Sequence, residues 1–244
     1  MMAPAETIHT PQDITGILLV NKPRSVTSHD VVDFVRKKFR IKKVGHAGTL
    51  DPLATGLLVI LLGRATKKSR ELIADDKIYR ACIQFGKKTD TLDASGTVIS
   101  VLAPEDFVLT REMIEEVLPK FIGSIEQTPP MFSAVHHQGK RLYELARKGI
   151  EVERQSRTVT IYKLVLRDFQ FPRLTVDIHC SKGTYIRTLC EQIGKRLSVP
   201  CCLEALHRIG SGQFNVAQAL SLDQLKDVSS CRELSQTNAY IPWN

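Results

Sequence analysis

The chain has 244 residues, of which 43% are hydrophobic and 25% charged, and it carries a formal charge of +8. This is a globular composition with enough residues for a sizeable core, and the basic surplus favours a polyanionic partner, RNA or DNA first. No apolar run approaches a membrane span, the N-terminus has no apolar signal core, and the cysteines lack paired zinc spacing, so a reducing, cytoplasmic compartment is expected.

Residues 1–13 are polar with two prolines and read as a lead-in. Gly16 to Val20 is a short apolar strand that ends in the turn signal Asn21-Lys22-Pro23. Thr27 or Ser28 can cap a helix carrying Val31, Val32, Phe34, Val35 and Phe39 at helical spacing. Residues 36–43 hold six Lys or Arg, including Lys42 and Lys43. They read equally as a solvated helix end or as a phosphate contact that delivers a polyanion to the segment that follows.

That segment, Gly45 to Gly63, is the centre of the sequence. Its first half is polar and glycine-rich, and its second half, Leu57 to Leu62, is continuously apolar and reads as a buried strand. Pro52 restricts Asp51, which predicts one carboxylate on a stiff loop leading into a core element. Taken alone, an Asp-Pro pair is more often a turn than a reactive group. The loop lacks the Lys-Ser/Thr of a phosphate-binding loop and the spacing of a dinucleotide fingerprint.

A helix is expected from Arg64 to Ala74, and an alternating strand from Lys77 to Gly86 that includes Tyr79. Residues 89–96 form a polar, turn-rich loop, and Thr110 caps a helix through Leu118. Residues 128–153 are the least core-like part, with His136 and His137 adjacent and a basic helix expected over Lys140 to Lys148, which takes in Arg141 and ends at Gly149. Strands are expected at Arg157 to Leu166 and Leu174 to Cys180. A helical stripe follows at Ile186, Leu189, Cys190, Ile193 and Leu197. Arg187 lies in its first turn, where a cation opposes the helix dipole unless an anion faces it; Asp51 is the candidate anion. Cys201 to Phe214 is strand-like, and Leu220 to Val228 a short helix.

The string Gly45 to Gly56, G-H-A-G-T-L-D-P-L-A-T-G, closely resembles the catalytic motif of the TruB family of tRNA pseudouridine synthases. Lys22-Pro23, Lys77 to Ala81, Thr89 to Gly96 and Lys182 to Arg187 match further family motifs in the same order, so the resemblance runs from about Gly16 to Leu225. It implies an α+β pseudouridine synthase fold: a mixed, mainly antiparallel sheet with flanking helices and an inserted thumb at about 128–153. It implies a catalytic domain over 14–228, and a polar tail over 229–244 in place of the C-terminal RNA-binding PUA barrel of longer relatives.

The activity implied is isomerisation of uridine 55 in the tRNA T loop to pseudouridine, with no cofactor and no metal. Asp51 would be the catalytic carboxylate, Arg187 its partner and Tyr79 the stacking platform for the flipped base. His46 would wedge into the RNA, Leu206 would line the active site, and Lys22, Tyr185, Lys42, Lys43, Lys140 and Arg141 are further RNA-binding candidates. The expected partner is the T arm of tRNA, bound by a monomer with no membrane contact. Whether Asp51 attacks C1′ or C6, or abstracts a C2′ proton, stays open at the level of sequence. A base-removing glycosylase and a non-catalytic RNA-folding protein are the rival readings.

Overall fold

A computed structural model describes residues 14–243, and the expected lead-in, residues 1–13, lies outside them. In chain order, β1 (Gly16–Lys22) leads to α1 (Ser28–Lys38), β2 (Val44–His46) and β3 (Thr55–Leu62). Then come α2 (Ser69–Ile73), β4 (Lys77–Phe85), the ribbon β5 (Lys87–Thr89) and β6 (Val98–Val101), α3 (Arg111–Val117) and β7 (Gly123–Gln127). A hairpin, β8 (His136–His137) and β9 (Lys140–Arg141), precedes α4 (Leu142–Ala146). The long strands β10 (Arg157–Gln170) and β11 (Arg173–Cys180) are followed by α5 (Ile186–Arg196) and β12 (Cys201–Ser211). The chain closes with β13 (Phe214–Asn215), β14 (Leu220–Ser221), α6 (Leu222–Asp227), α7 (Cys231–Leu234) and β15 (Tyr240–Pro242).

The chain divides into two compact units, Met1–Ala74 with Gly210–Asn244, and Asp75–Ile209. The second boundary falls inside β12, where no loop composition marks it.

In the first unit, β1 pairs antiparallel with β3 from Gly16↔Leu62 to Lys22↔Gly56. Leu57 to Leu62 are all at most 1% exposed, as an unbroken apolar run requires. β2 pairs antiparallel with β3, and β14 pairs parallel with β1. Thr27 caps α1 in a full capping box with Asp30, and Val31, Val32 and Val35 turn into the core. Arg40, at φ +52°, ends that helix in the left-handed region. The residues read as a polar tail form α7, capped by Ser230, and β15, which pairs with β1. A side chain at Gly16 would meet the Ile241 carbonyl at 2.5 Å and the Tyr240 ring at 2.6 Å, so this strand pairing needs glycine.

In the second unit, strands run in the order β12-β4-β11-β10-β7, with β4–β11, β11–β10 and β10–β7 antiparallel. Leu174, Val176, Ile178 and Cys180 are buried on one face of β11, as their alternation predicts. α5 buries Ile186, Leu189, Cys190 and Ile193.

Two local expectations change. The helix predicted from Arg64 is a 3₁₀ segment over Gly63–Lys68 and only then α2; the Thr66 hydroxyl donates to the Gly63 carbonyl at 2.8 Å and competes with regular helical bonding. The basic helix predicted from Lys140 begins at Leu142. Gln138 (φ +48°) and Gly139 (φ +82°) make a two-residue hairpin turn that pairs Lys140 with His137 and Arg141 with His136.

Candidate active site

In the first unit, the Asp51 loop is held from several sides. The Ala47 N–H donates to the Val59 carbonyl at 2.9 Å, so the loop leaves β2 already anchored on β3. Gly48 turns the chain at φ +97°. Leu50, 3% exposed, is fixed by the hydroxyl of Ser28, the first residue of α1, which accepts from Leu50 N at 2.8 Å and donates to Leu50 O at 3.1 Å. The Asp51 carbonyl accepts from Ala54 N at 3.0 Å, and the Pro52 carbonyl from Ser25 N at 2.8 Å. Asp51 is thus a half-buried carboxylate on a loop whose backbone is committed on both sides.

Lys22 closes the neighbouring loop. Its ammonium donates to the carbonyls of Pro23 at 2.9 Å and Val26 at 2.6 Å. The expected RNA-binding role does not fit this position: Lys22 is fully buried and ties together the loop that supports Pro52. His46 ends β2 opposite Ile60 and is half-buried, with its carbonyl accepting from the Ser69 hydroxyl at 3.4 Å. Lys42 and Lys43 are exposed just before β2.

In the second unit, Tyr79 sits on β4 opposite Ile178, half-buried, on the strand face that also carries Lys77 and Ala81. Leu206 lies on β12 and is 8% exposed. Arg187 is the second residue of α5, 5% exposed, and its fork donates to the carbonyls of Thr91 at 3.1 Å and Phe132 at 2.9 Å. Its Nε lies 3.9 Å from a carboxylate oxygen of Asp93. The other Asp93 oxygen accepts from the Thr91 hydroxyl and the Ser95 N–H, each at 2.9 Å. An anion therefore does face this cation at the start of α5, as the dipole argument requires, and Asp93 is one such anion within the unit. Tyr185 carries the Arg157 guanidinium 4.6 Å from its ring centroid. Lys140 and Arg141 are exposed on β9.

Three buried polar residues escaped the sequence reading. Asp93 sat in a loop whose composition said only turn. Gln127, fully buried at the end of β7, accepts from Tyr185 N at 2.9 Å and donates to Tyr185 O at 3.3 Å, clamping the residue that precedes α5. Arg208 lies on β12 and is 1% exposed. Gln127 finds its partner on a distant element, and Asp93, though bonded locally to Thr91 and Ser95, faces the distant Arg187.

Lys77 is also buried, and its ammonium donates to the Asp75 carbonyl at 2.6 Å. Burial, with Arg208 nearby, brings its pKa down to about 8. At the other end of α5 a cavity of about 370 Å³ is lined by Lys120, Phe121, Gln192, Lys195 and Arg196. Lys120 and Lys195 are there paired with Glu116 and Glu191. Among the described residues, no group of His, Cys, Asp or Glu side chains is arranged to hold a metal ion, and no helix is long and apolar enough to cross a membrane.

Comparison with known proteins identifies the family and the fold. Residues 36–186 match the N-terminal domain of the TruB family pseudouridylate synthases, and residues 187–240 match the tRNA pseudouridylate synthase B C-terminal domain. The tRNA pseudouridine synthase B of Syntrophotalea carbinolica is 45% identical over 213 residues, covering 87% of this chain and 69% of its own. The protein of the same name from Bordetella avium is 46% identical, covering 88% of each chain. Among solved structures, a chain from a Cbf5–Nop10–Gar1 complex superposes with a TM-score of 0.71 at 26% identity, over 93% of this chain and 60% of that one. The α+β pseudouridine synthase fold expected from the sequence is therefore the fold found, and the chain belongs to the TruB family of pseudouridylate synthases.

Proposed function

We propose that this chain is a tRNA pseudouridine synthase that isomerises uridine 55 of the T loop. The observation that carries the reading is the Asp51 loop: a carboxylate next to a backbone tied down by Ser28, Ser25 and Val59, within the family's own motif. Breaking the bond between C1′ and N1 builds positive charge at C1′, which a fixed carboxylate stabilises or traps. The uracil is retained, turns, and rejoins through C5, which gives up its proton as N1 gains one, so no electron, phosphate or water is consumed.

Asp51 is assigned the carboxylate chemistry, Tyr79 the stacking face for the flipped base, and Arg187 the fixed countercharge. Extruding the base costs a few kcal/mol, which stacking and edge contacts recover. Phosphate contacts from the exposed Lys42, Lys43, Lys140 and Arg141 supply sequence-independent affinity for the T arm. His46, Tyr185 and Leu206 are assigned contacts with the loop nucleotides. The protein is taken to act as a monomer in the cytoplasm.

The test is incubation with unmodified tRNA followed by carbodiimide mapping. Pseudouridine at position 55 supports the proposal. An abasic site there, or no covalent change, overturns it.

A further inference from the structure

We propose that Gln127 is a positioning residue for this reaction, gripping the backbone of Tyr185 so that α5 starts at one fixed residue and carries Arg187 to its carbonyl partners. The inference rests on the reading above, in which Arg187 is the fixed countercharge.

Gln127 ends β7 and is fully buried. A methionine would fill the same space without the cost of taking an amide out of water, so the amide is kept for its hydrogen bonds. These go to α5 and to the residue before it. Oε1 accepts from Tyr185 N at 2.9 Å, and Nε2 donates to Tyr185 O at 3.3 Å and to Gln192 Oε1 at 3.4 Å. Gln192 returns the contact by donating to Glu126 O at 2.7 Å. The end of β7 is thereby stitched to α5 just ahead of the helix and again within it.

The grip on Tyr185 depends on its backbone. At φ −93° and ψ 108° Tyr185 is extended, so its N–H and C=O point to the same side, where one primary amide takes both. In a helix the two groups point opposite ways along the axis. A helix begun one residue early would lose the grip, so Gln127 selects Ile186 as the first helical residue and Arg187 as the second. Tyr185 itself gives α5 no side-chain cap. The strand register adds a second hold. Arg157 lies opposite Gln127 on β10, places its guanidinium 4.6 Å from the Tyr185 ring centroid and donates to the Gly183 carbonyl.

This fixed start delivers the Arg187 fork, which donates to Thr91 O at 3.1 Å and to Phe132 O at 2.9 Å. Phe132 lies on the segment that leaves β7 at Gln127, so the strand end that sets the helix also leads to a carbonyl the arginine uses. A misplacement of about 1 Å, even one that begins away from the chemistry, can slow a reaction about a hundredfold.

The experiment crosses Gln127→Met with Arg187→Lys and reads the single-turnover rate and Kd on unmodified T-arm RNA. Gln127→Met is expected to slow the chemical step about tenfold or more, with Kd kept within about threefold. Because Gln127 acts through Arg187, the same change in the Arg187→Lys background should cost less than about threefold. An unchanged rate in Gln127→Met, or the same fold loss in both backgrounds, overturns the proposal. Melting curves check folding. If Met is not tolerated, Gln127→Glu, which keeps the size and an acceptor for Tyr185 N but gives up the amide donors, takes its place in the cycle.

A second measurement needs no turnover. The guanidinium N–H signals of Arg187 should exchange slowly in the wild-type protein and lose protection in Gln127→Met, and unchanged protection overturns the proposal. A wild-type protein that fails to convert the RNA sinks the functional reading instead, and the exchange comparison then still decides whether Gln127 holds Arg187 in place.

Discussion

Ser28 and Leu50 exchange two hydrogen bonds through a single hydroxyl, which accepts from Leu50 N at 2.8 Å and donates to Leu50 O at 3.1 Å. Both residues are at most 3% exposed. The start of α1 is thereby joined to the residue before Asp51. Ser28→Ala strands a buried N–H and a buried carbonyl, each costing about 1–3 kcal/mol if left unpaired. A stability loss of about 2 kcal/mol is expected, with a Tm lowered by about 4–8 °C. The rate should fall as the loop loosens, while RNA affinity changes little. A melting curve and single-turnover kinetics check this, and a rate equal to wild type would separate the loop's anchoring from catalysis.

Asp51→Asn keeps the shape of the side chain and removes the charge. Affinity rests on phosphate contacts, so binding should persist within about threefold. Turnover should disappear, because an amide neither traps nor stabilises positive charge at C1′. Pseudouridine formation at a tenth of the wild-type rate would take Asp51 out of the mechanism.

Arg187 is held by two carbonyls and faces Asp93, with both side chains about 6% exposed. Arg187→Lys keeps one charge but cannot reach Thr91 and Phe132 with a planar fork. A rate loss of about a hundredfold or more is expected, together with a lower Tm. Asp93→Asn should also lower stability, because it removes the carboxylate that faces Nε of the buried guanidinium. Wild-type rates in Arg187→Lys would show that charge alone suffices.

Elements whose cause is local were legible in the sequence. Leu57 to Leu62 is apolar throughout because β3 is buried on both faces, and Leu174 to Cys180 alternates because β11 buries one face. Thr27 and Thr110 cap helices through bonds to residues three positions on. Asp51 was legible because its loop is a contiguous string. The buried polar residues of the second unit were less so. Arg187 drew notice as a cation in the first turn of a helix, but Asp93, Gln127 and Arg208 are buried where a one-dimensional pattern reads charged and amide residues as surface. Lys22, an RNA-binding candidate through the family motif Lys22-Pro23, lies buried on its own loop.

Asp177 supplies a pH prediction remote from the chemistry. Arg80 donates to both its oxygens, at 2.7 and 2.9 Å, and Arg167 donates to one of them. The Arg80 hydrogen bonds, with Arg167 adding to them, hold its pKa below the usual carboxylate value against the opposing effect of burial. A carboxylate with a depressed folded pKa stabilises the fold above its unfolded pKa, near 4 for aspartate, and that contribution is lost as pH falls through the folded value. Asp177→Asn should therefore lower stability by about 1 kcal/mol at pH 7, since both arginines are solvent-exposed. The difference from wild type should shrink below about pH 4. A difference that is constant from pH 7 to pH 3 would show that the effect is steric.

The basic cluster before the Asp51 loop divides once its side chains are placed. Arg36 pairs with Asp33 and donates to the Val44 carbonyl at 3.3 Å, and the Lys38 ammonium donates to the Lys226 carbonyl. Lys37, Lys42 and Lys43 are exposed. If the cluster contacts RNA, its exposed members, Arg40 and these three lysines, carry the contact and Lys38 does not. Each lost phosphate contact lowers the slope of log affinity against log salt by roughly 0.7 to 0.9. The triple Lys37→Ala, Lys42→Ala and Lys43→Ala variant should therefore bind more weakly, with a slope reduced by about 2 to 2.7. Lys38→Ala alone should leave the slope near wild type. Both are read from filter-binding titrations with T-arm RNA over a salt series. An unchanged slope in the triple variant would mean that these lysines form a solvated helix end, their charge serving only the C-terminal dipole of α1.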